Sequence, residues 1–241
     1  MLQYREIFYK QYYSSQLGRN ETNYEVKLKE ESAQLRREIL PLLPIDKKCV
    51  IVDIGCGIGS LVHGMLAAGY ADAIGVDVSE EMVKVAHQLN IPNVICDDVT
   101  SFLNQHKNHF EVITGIDIIE HFTKDELVNL LIQIKDSLKP GGVAIFRTPN
   151  MDAPFATIFA NGDFTHENYL NTSSARQVMI NCGFTSVQLM PSHIQIQNPL
   201  KEFFRKILWR CYSFRIKLEL FATGRSSKII LTPNLIIRVT K

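Results

Sequence analysis

Apolar positions along this chain follow two rhythms, and the switches between them mark out its elements. YEVKLKEESAQLRREIL (24–40) has helical spacing and stops at Pro41, which has no N–H to continue the ladder. CVIVDI (49–54) is a β-branched run that ends at glycine, as a buried parallel strand does. GSLVHGMLAAG (59–69) returns to helical spacing, and ADAIGVD (71–77) to a strand. SEEMVKVAHQL (79–89) opens with Ser79 as N-cap and acids in its first turn. NVIC (93–96) and FEVITGI (110–116) read as strands three and four. TKDELVNLLIQIKDSL (123–138) is a capped helix closed by Lys139-Pro140-Gly141-Gly142, and VAIFRTP (143–149) is strand five. Beyond residue 170 the pattern predicts a helix over 172–182, a strand near 184–190 and a last strand near 234–240.

Strands and helices alternating at this spacing imply right-handed βαβ units, hence an α/β fold with a doubly wound, largely parallel sheet. The chain reads as one domain over 1–241, with a helical N-terminal cap at 1–40, a core at 48–150, a loop at 151–171 and an insertion at 197–224.

Composition narrows the setting. The chain has 241 residues, 46% of them hydrophobic and 21% charged, which fits a packed core rather than disorder. MLQYREIFYKQYY carries charges and tyrosines where a secretory leader needs an apolar run, and no run approaches the roughly 20 residues of a membrane span. Cys49, Cys56, Cys96, Cys182 and Cys211 are odd in number and contain no CxxC, as expected of reduced thiols in the cytoplasm. The net charge of +1 conceals an asymmetry. From Leu189 onward ten Lys/Arg face only Glu202 and Glu219, so that segment carries +8 and the remainder −7.

The motif that carries most chemistry is VDIGCGIGS (52–60), in which Gly55, Gly57 and Gly59 follow a strand and open a helix. A Cβ there would block the turn and hold a ligand off the backbone. The spacing differs from the GxGxxG that seats a diphosphate, which argues against a nicotinamide dehydrogenase. Instead Asp53 precedes the first glycine, and a carboxylate there suits a cationic group such as an amino-acid ammonium. Asp77, with Val78 beside it, ends strand two, where an acid accepts hydrogen bonds from ribose hydroxyls. Asp97 and Asp98 follow strand three and can accept from an adenine amino group, Asp97 being better placed. Each acid alone could instead be a helix N-cap.

DIGCGIG, GVDVS, CDDV, FEVITGIDIIEHF and LKPGGVAIFRTPN together resemble the class I S-adenosylmethionine-dependent methyltransferases, over residues 48–148. The resemblance implies a Rossmann-like sheet of seven strands, the last antiparallel, and S-adenosylmethionine held by Asp53, Gly55, Gly57, Gly59, Asp77, Val78, Asp97, Asp98 and Ile116.

The acceptor should then enter beside strands one and four. The strand-four exit, IDIIEHFTKDE, is similar to the ubiquinone-biosynthesis O-methyltransferases, where an acid-x-x-acid-His run binds a divalent metal. Asp117, Glu120 and His121 match that run; alternatively His121 serves only as a general base. GDFTHEN (162–168) is long enough to fold back over a reactive methyl group and would offer His166 as a second catalytic histidine, with Asp163 or Glu167 fixing its tautomer. The alternative is a structural histidine capping the next helix. Arg147 and Asn150, at the end of strand five, are candidate acceptor contacts, with Asp163 and Glu167; Arg147 could equally pair within the fold.

PLKEFFRKILWRCYSFRIKLELFA (199–222) is a basic, amphipathic helix that could lie on an anionic membrane surface, meet a lipid-linked acceptor, pair with a second subunit, or fold onto its own domain. So much apolar area argues against nucleic acid. With GDFTHEN, NCGF and LTPNLI, it resembles methyltransferases of bacterial surface-polysaccharide assembly, which implies a sugar or phosphorylated-glycan hydroxyl as acceptor. The other readings are a quinone- or phenol-type O-methyltransferase and, in a different class, a non-catalytic partner subunit that keeps the cofactor fold.

Overall fold

Strand β1 (Ile51–Ile54) is buried at all four positions, and the sheet is built outward from it. The computed structural model describes residues 8, 23–193, 195–196, 198–226 and 228–241. Its strands are β1, β2 (Ala73–Asp77), β3 (Val94–Cys96), β4 (Phe110–Ile116), β5 (Leu138–Pro149), β6 (Ser186–Ser192) and β7 (Asn234–Thr240). They form a seven-stranded sheet in the order β3-β2-β1-β4-β5-β7-β6. The first five strands pair in parallel, and β7 lies antiparallel between β5 and β6. The order reverses at β1 and β4, which leaves a crevice above their carboxyl ends.

The helices are α1 (Tyr24–Glu38), α2 (Ser60–Ala67), α3 (Glu80–Gln88), α4 (Val99–Gln105), α5 (Lys124–Ser137), α6 (Ala156–Ala160), α7 (Thr172–Asn181) and α8 (Pro199–Ala222). Alternation along the strands sends side chains to two cores. Val52, Ile54, Phe110 and Phe146 pack with α4, α5 and α7. Ile51, Val112, Val143 and Ile145 pack with α1, α2 and α3 on the opposite face. Local chemistry sets the helix starts: Ser79 accepts from the Met82 N–H, and Thr123 forms a reciprocal capping box with Glu126.

The expected elements are present, with informative differences at their edges. The first helix ends at Glu38, and a 3-10 turn at Leu40–Leu42 accommodates Pro41. Strand β5 starts at Leu138, so the Lys-Pro-Gly-Gly turn is absorbed into the strand; the register shifts between Phe110 and Val112 as it does so. Helices α4 and α6 are too short to show a helical period in the sequence. The N-terminal cap expected over 1–40 falls outside the described residues before residue 23, apart from Phe8, whose ring stacks on Phe164 of the 151–171 loop at 5.4 Å. All five cysteines are free. Among the described residues no helix is long and apolar enough to cross a membrane.

Gly75 in β2 shows how closely the turn after β1 is packed. A Cβ on Gly75 would come within 2.6 Å of Cys56 Sγ and 2.9 Å of Val62 Cγ2. Gly75→Ala should therefore lower stability by about 1–3 kcal/mol, read from urea midpoints. An unchanged midpoint would mean that this turn can yield.

Candidate active site

The three alternating glycines take positive φ angles, 63° at Gly55, 54° at Gly57 and 77° at Gly59. At Gly55 a Cβ would also sit 2.4 Å from Ile118 Cδ1, so the position excludes side chains twice over. At Gly57 a Cβ would meet nothing within 4 Å, because that backbone faces open space. The space is a cavity of about 350 Å³ lined by Lys27, Glu31 and Gln34 of α1, by Asp53, Gly55 and Gly57, and by Ile116, Asp117 and Arg147. Helix α1 forms its roof; Glu31 accepts a 2.8 Å hydrogen bond from Ser60 Oγ at the start of α2.

Asp53 is 2% exposed, and its Oδ1 accepts from Thr114 Oγ1 at 2.7 Å. Burial pushes its pKa up to about 7, against the Thr114 hydrogen bond; the charge of Asp77 adds to the rise and Arg147 opposes it. The acid at the end of β1 is thus poised to ionise fully when a cation arrives. Thr114 carries no signal in the sequence beyond being a polar residue inside an apolar strand.

Asp77 binds the glycine turn itself. Its Oδ2 accepts from the Gly57 N–H at 2.7 Å and its Oδ1 from the Ser79 N–H at 2.8 Å. Each oxygen retains a second lone pair for a ligand. Val78 is exposed beside it. Asp97 is half-buried at the tip of β3 and accepts from the Asp98 N–H. The expectation for Asp98 needs correction. Its carboxylate caps α4 by accepting from the Ser101 N–H at 2.8 Å, and despite a desolvation cost this bond holds its pKa below the usual range.

Two further expectations change at the ends of β4 and β5. Arg147 donates through Nε to Asp117 Oδ1 at 3.0 Å and through Nη2 to Asp117 Oδ2, while its Nη1 donates to Glu38 Oε2 at 3.0 Å. Glu38 also accepts from Ser192 Oγ. Arg147 is therefore engaged by the protein's own acids, although it still lines the cavity. Asn150 is fully buried; its amide donates to the Ile230 and Thr232 carbonyls and accepts from the Asp152 N–H. It anchors the segment before β7 with both of its donors, and its burial keeps it from an acceptor.

A second cluster forms where GDFTHEN meets the 3-10 turn Ile119–His121. The Glu120 carbonyl accepts from the Glu167 and Asn168 N–H groups at 2.8 and 3.0 Å, which clamps the loop onto the turn. Thr165, buried and not assigned a role by its sequence context, lies at the junction. Its Oγ1 is 2.7 Å from Asp163 Oδ1 and 2.9 Å from His121 Nδ1. The hydroxyl has one proton and the carboxylate can only accept, so Thr165 donates to Asp163 and His121 Nδ1–H donates to Thr165. That leaves the imidazole lone pair of His121 on Nε2. Burial, together with neighbouring His166, holds the His121 pKa below 6.5. His166 donates Nδ1–H to the Ala160 carbonyl at 2.7 Å, and its Nε2 lies 4.0 Å from Asp163 Oδ2. The two rings meet edge to face at 4.8 Å. Glu167 is exposed and contributes its backbone. Neither histidine lines the cavity under α1.

The acid-x-x-acid-His run does not act as a unit. Asp117 turns to Arg147, whereas Glu120, His121 and His166 place one ligand atom each within 4.8 Å of one another. Burial pushes the Glu120 pKa well up, the Asp117 charge adding to it, and its Oε2 has no hydrogen-bond partner among the described residues. One carboxyl and two imidazoles can hold a borderline cation such as Zn²⁺ or Fe²⁺ better than Mg²⁺.

The Methyltransferase domain family matches residues 27–189 of this chain. The chain is 34% identical over 106 residues to "Ubiquinone biosynthesis O-methyltransferase" of Coxiella burnetii, a stretch covering 42% of this chain and 43% of that protein. The chain thus spans less than half the length of that curated relative. A SAM-dependent methyltransferase from Archaeoglobus fulgidus superposes with a TM-score of 0.65 at 21% identity, covering 89% of this chain and 94% of that one. Phosphoethanolamine N-methyltransferase 2 of Haemonchus contortus, solved in complex with S-adenosyl-L-methionine, superposes with a TM-score of 0.60 at 18% identity, covering 100% of this chain and 60% of that one. At these identities the structural likeness is one of fold.

The titration of Asp53 gives a direct check on the cavity. Between pH ~4, where the unfolded carboxyl ionises, and about 7, where the folded one does, the native state holds the extra proton. Stability from this group therefore falls as pH rises through that window and levels off above it. Asp53→Asn should gain on the wild type by up to roughly 4 kcal/mol across the window in urea melts. A difference that does not vary with pH would mean that Asp53 is ionised throughout.

Proposed function

The chain belongs to the Methyltransferase domain family, and from that membership we propose that it moves the methyl group of S-adenosylmethionine onto an acceptor hydroxyl. The observation that carries this reading is the buried acid under an open glycine turn: Asp53 and the Gly57 backbone face one cavity, with Asp77 bonded to the turn. These residues fit the cofactor. Asp53 would accept from its ammonium, Asp77 from its ribose hydroxyls and Asp97 from its adenine amino group. Bound there, S-adenosylmethionine supplies an electrophilic methyl on a sulfonium sulfur.

The chain's own task is alignment and proton removal. His121 is the base in this reading. Its Nε2 takes the hydroxyl proton, while Thr165 and Asp163 hold Nδ1–H and steady the imidazolium that results. His166 packs edge to face against that ring and is held there by its Nδ1–H on the Ala160 carbonyl. The name of the curated relative favours a phenol-type hydroxyl as acceptor, and so does the strand-four exit IDIIEHF as the sequence reads. The sugar acceptor implied by residues 145–241 draws no support from the relatives named above.

His121→Ala should lower turnover by roughly 10²–10⁴-fold with little change in cofactor affinity measured by calorimetry. Thr165→Val should lower it less and shift the pH profile. Activity should fall as pH drops through an inflection below 6.5, since only the unprotonated imidazole can accept the proton. Cofactor affinity should weaken separately below about 7 as Asp53 protonates. Normal turnover in His121→Ala would remove the base assignment. Activity lost to a chelator and restored by a divalent ion would replace it with a metal site at Glu120, His121 and His166. Failure to bind S-adenosylmethionine or its demethylated product would sink the reading altogether.

A further inference from the structure

Helix α8 is amphipathic in the reverse of the usual sense. Of its 24 residues only Glu202 is buried, while Phe203, Phe214 and Phe221 are 59%, 68% and 72% exposed. At the helical repeat, Leu200, Phe203, Ile207, Phe214, Leu218 and Phe221 fall on one stripe about 60° wide that holds no charged residue. All six are exposed. Lys206, Arg210 and Lys217 line one border of that stripe, and Lys201 and Arg215 line the other. The opposite side is less open: Trp209, Ser213 and Leu220 are half-buried there, Trp209 and Ser213 on a groove shared with Pro191 and Ile230, and Glu202 accepts from the Ile196 N–H and from Arg205 at the helix start.

We propose that α8 docks the protein on an anionic bilayer, its apolar stripe entering the headgroup boundary and its bordering cations meeting lipid phosphates. Cations on both borders suit a flat negative surface, because each can reach it while its alkyl stem stays with the apolar stripe. They oppose pairing with a second copy. The helix carries six Lys/Arg against two Glu, and stripe-to-stripe contact would bring two such cationic borders together.

The topology places this surface beside the site. Strand β6 ends at Ser192 level with Asn234 of β7, which is level with Pro149 at the end of β5. The α8 insertion therefore leaves and re-enters the sheet on the edge that carries the glycine turn, Ile116 and Asp117. A docked α8 brings that edge to the bilayer, so an acceptor with an apolar tail could enter from the membrane. Docking itself does not depend on the methyl-transfer reading, and its test uses no turnover.

The test is flotation of the full chain with phosphatidylcholine vesicles, with and without phosphatidylglycerol. The wild type should float with the anionic vesicles, less so as salt rises, and stay in solution with phosphatidylcholine alone. Phe203→Ser/Leu218→Ser/Phe221→Ser and Lys201→Glu/Arg210→Glu/Lys217→Glu should each weaken binding by roughly 10²-fold, with unchanged urea midpoints because the altered residues are exposed and Lys206, which pairs with buried Glu202, is kept. Three results overturn the proposal: no binding of wild type to anionic vesicles, equal binding by either triple variant, or a dimer in solution that the serine variant dissolves and vesicles do not.

Discussion

A carboxyl that is taken out of water costs free energy unless something answers its charge, and the architecture is arranged around one that is answered only in part. Asp53, next to last in the central strand, accepts from a single hydroxyl, that of Thr114 on the neighbouring strand. In the glycine turn above it three alternating glycines take positive φ angles, and the turn leaves Gly57 bare. Desolvation without full compensation raises the pKa of the acid to about 7, and the shortfall is what a cationic ligand would supply.

The roof of the cavity follows from a second electrostatic constraint. Arg147 at the end of β5 is nearly buried and reaches two acids, Asp117 at the end of β4 and Glu38 at the end of α1. Removing Arg147 would strand the nearly buried Glu38 carboxylate, so the arginine holds the end of α1 across the mouth of the sheet. Glu38 then passes the connection on to Ser192 at the end of β6. The same arginine lines the cavity, so the closure of the roof and the lining of the site depend on one side chain.

Much of the fold was legible because βαβ alternation is written in local periodicity, and the strand-tip acids were legible because each follows an apolar run that stops abruptly. Roles that depend on distant partners were not. Asp117 sits three residues from Glu120, yet its carboxylate belongs to an arginine on another strand, thirty positions away. Asp98 and Asp97 are adjacent and chemically identical, and only the helix start at Val99 separates a cap from a ligand candidate. Asn150 was indistinguishable from an acceptor contact until the 230–232 segment folded against it. GDFTHEN was read for its histidine, but its threonine makes the junction, through a contact with a histidine 44 positions earlier. Sequence spacing reports what neighbours can do. It says little about which partner wins when several are compatible.

The bond between Glu38 and Ser192 joins residues 154 positions apart. A ribosome has therefore delivered the first helix of the roof long before the strand that fastens it exists. Contacts with such separation pay a large loop-closure entropy and form late. The floor of the cleft, β1 with β2 and β4, is laid down within residues 51–116, and α1 can already rest on α2 and reach Arg147 before β6 is made. A chain cut short of β6 would own the acid, the glycine bend and the roof helix without the last bond that fastens that helix. The tightest closure over a small charged guest should thus come late, when β6 meets the end of α1.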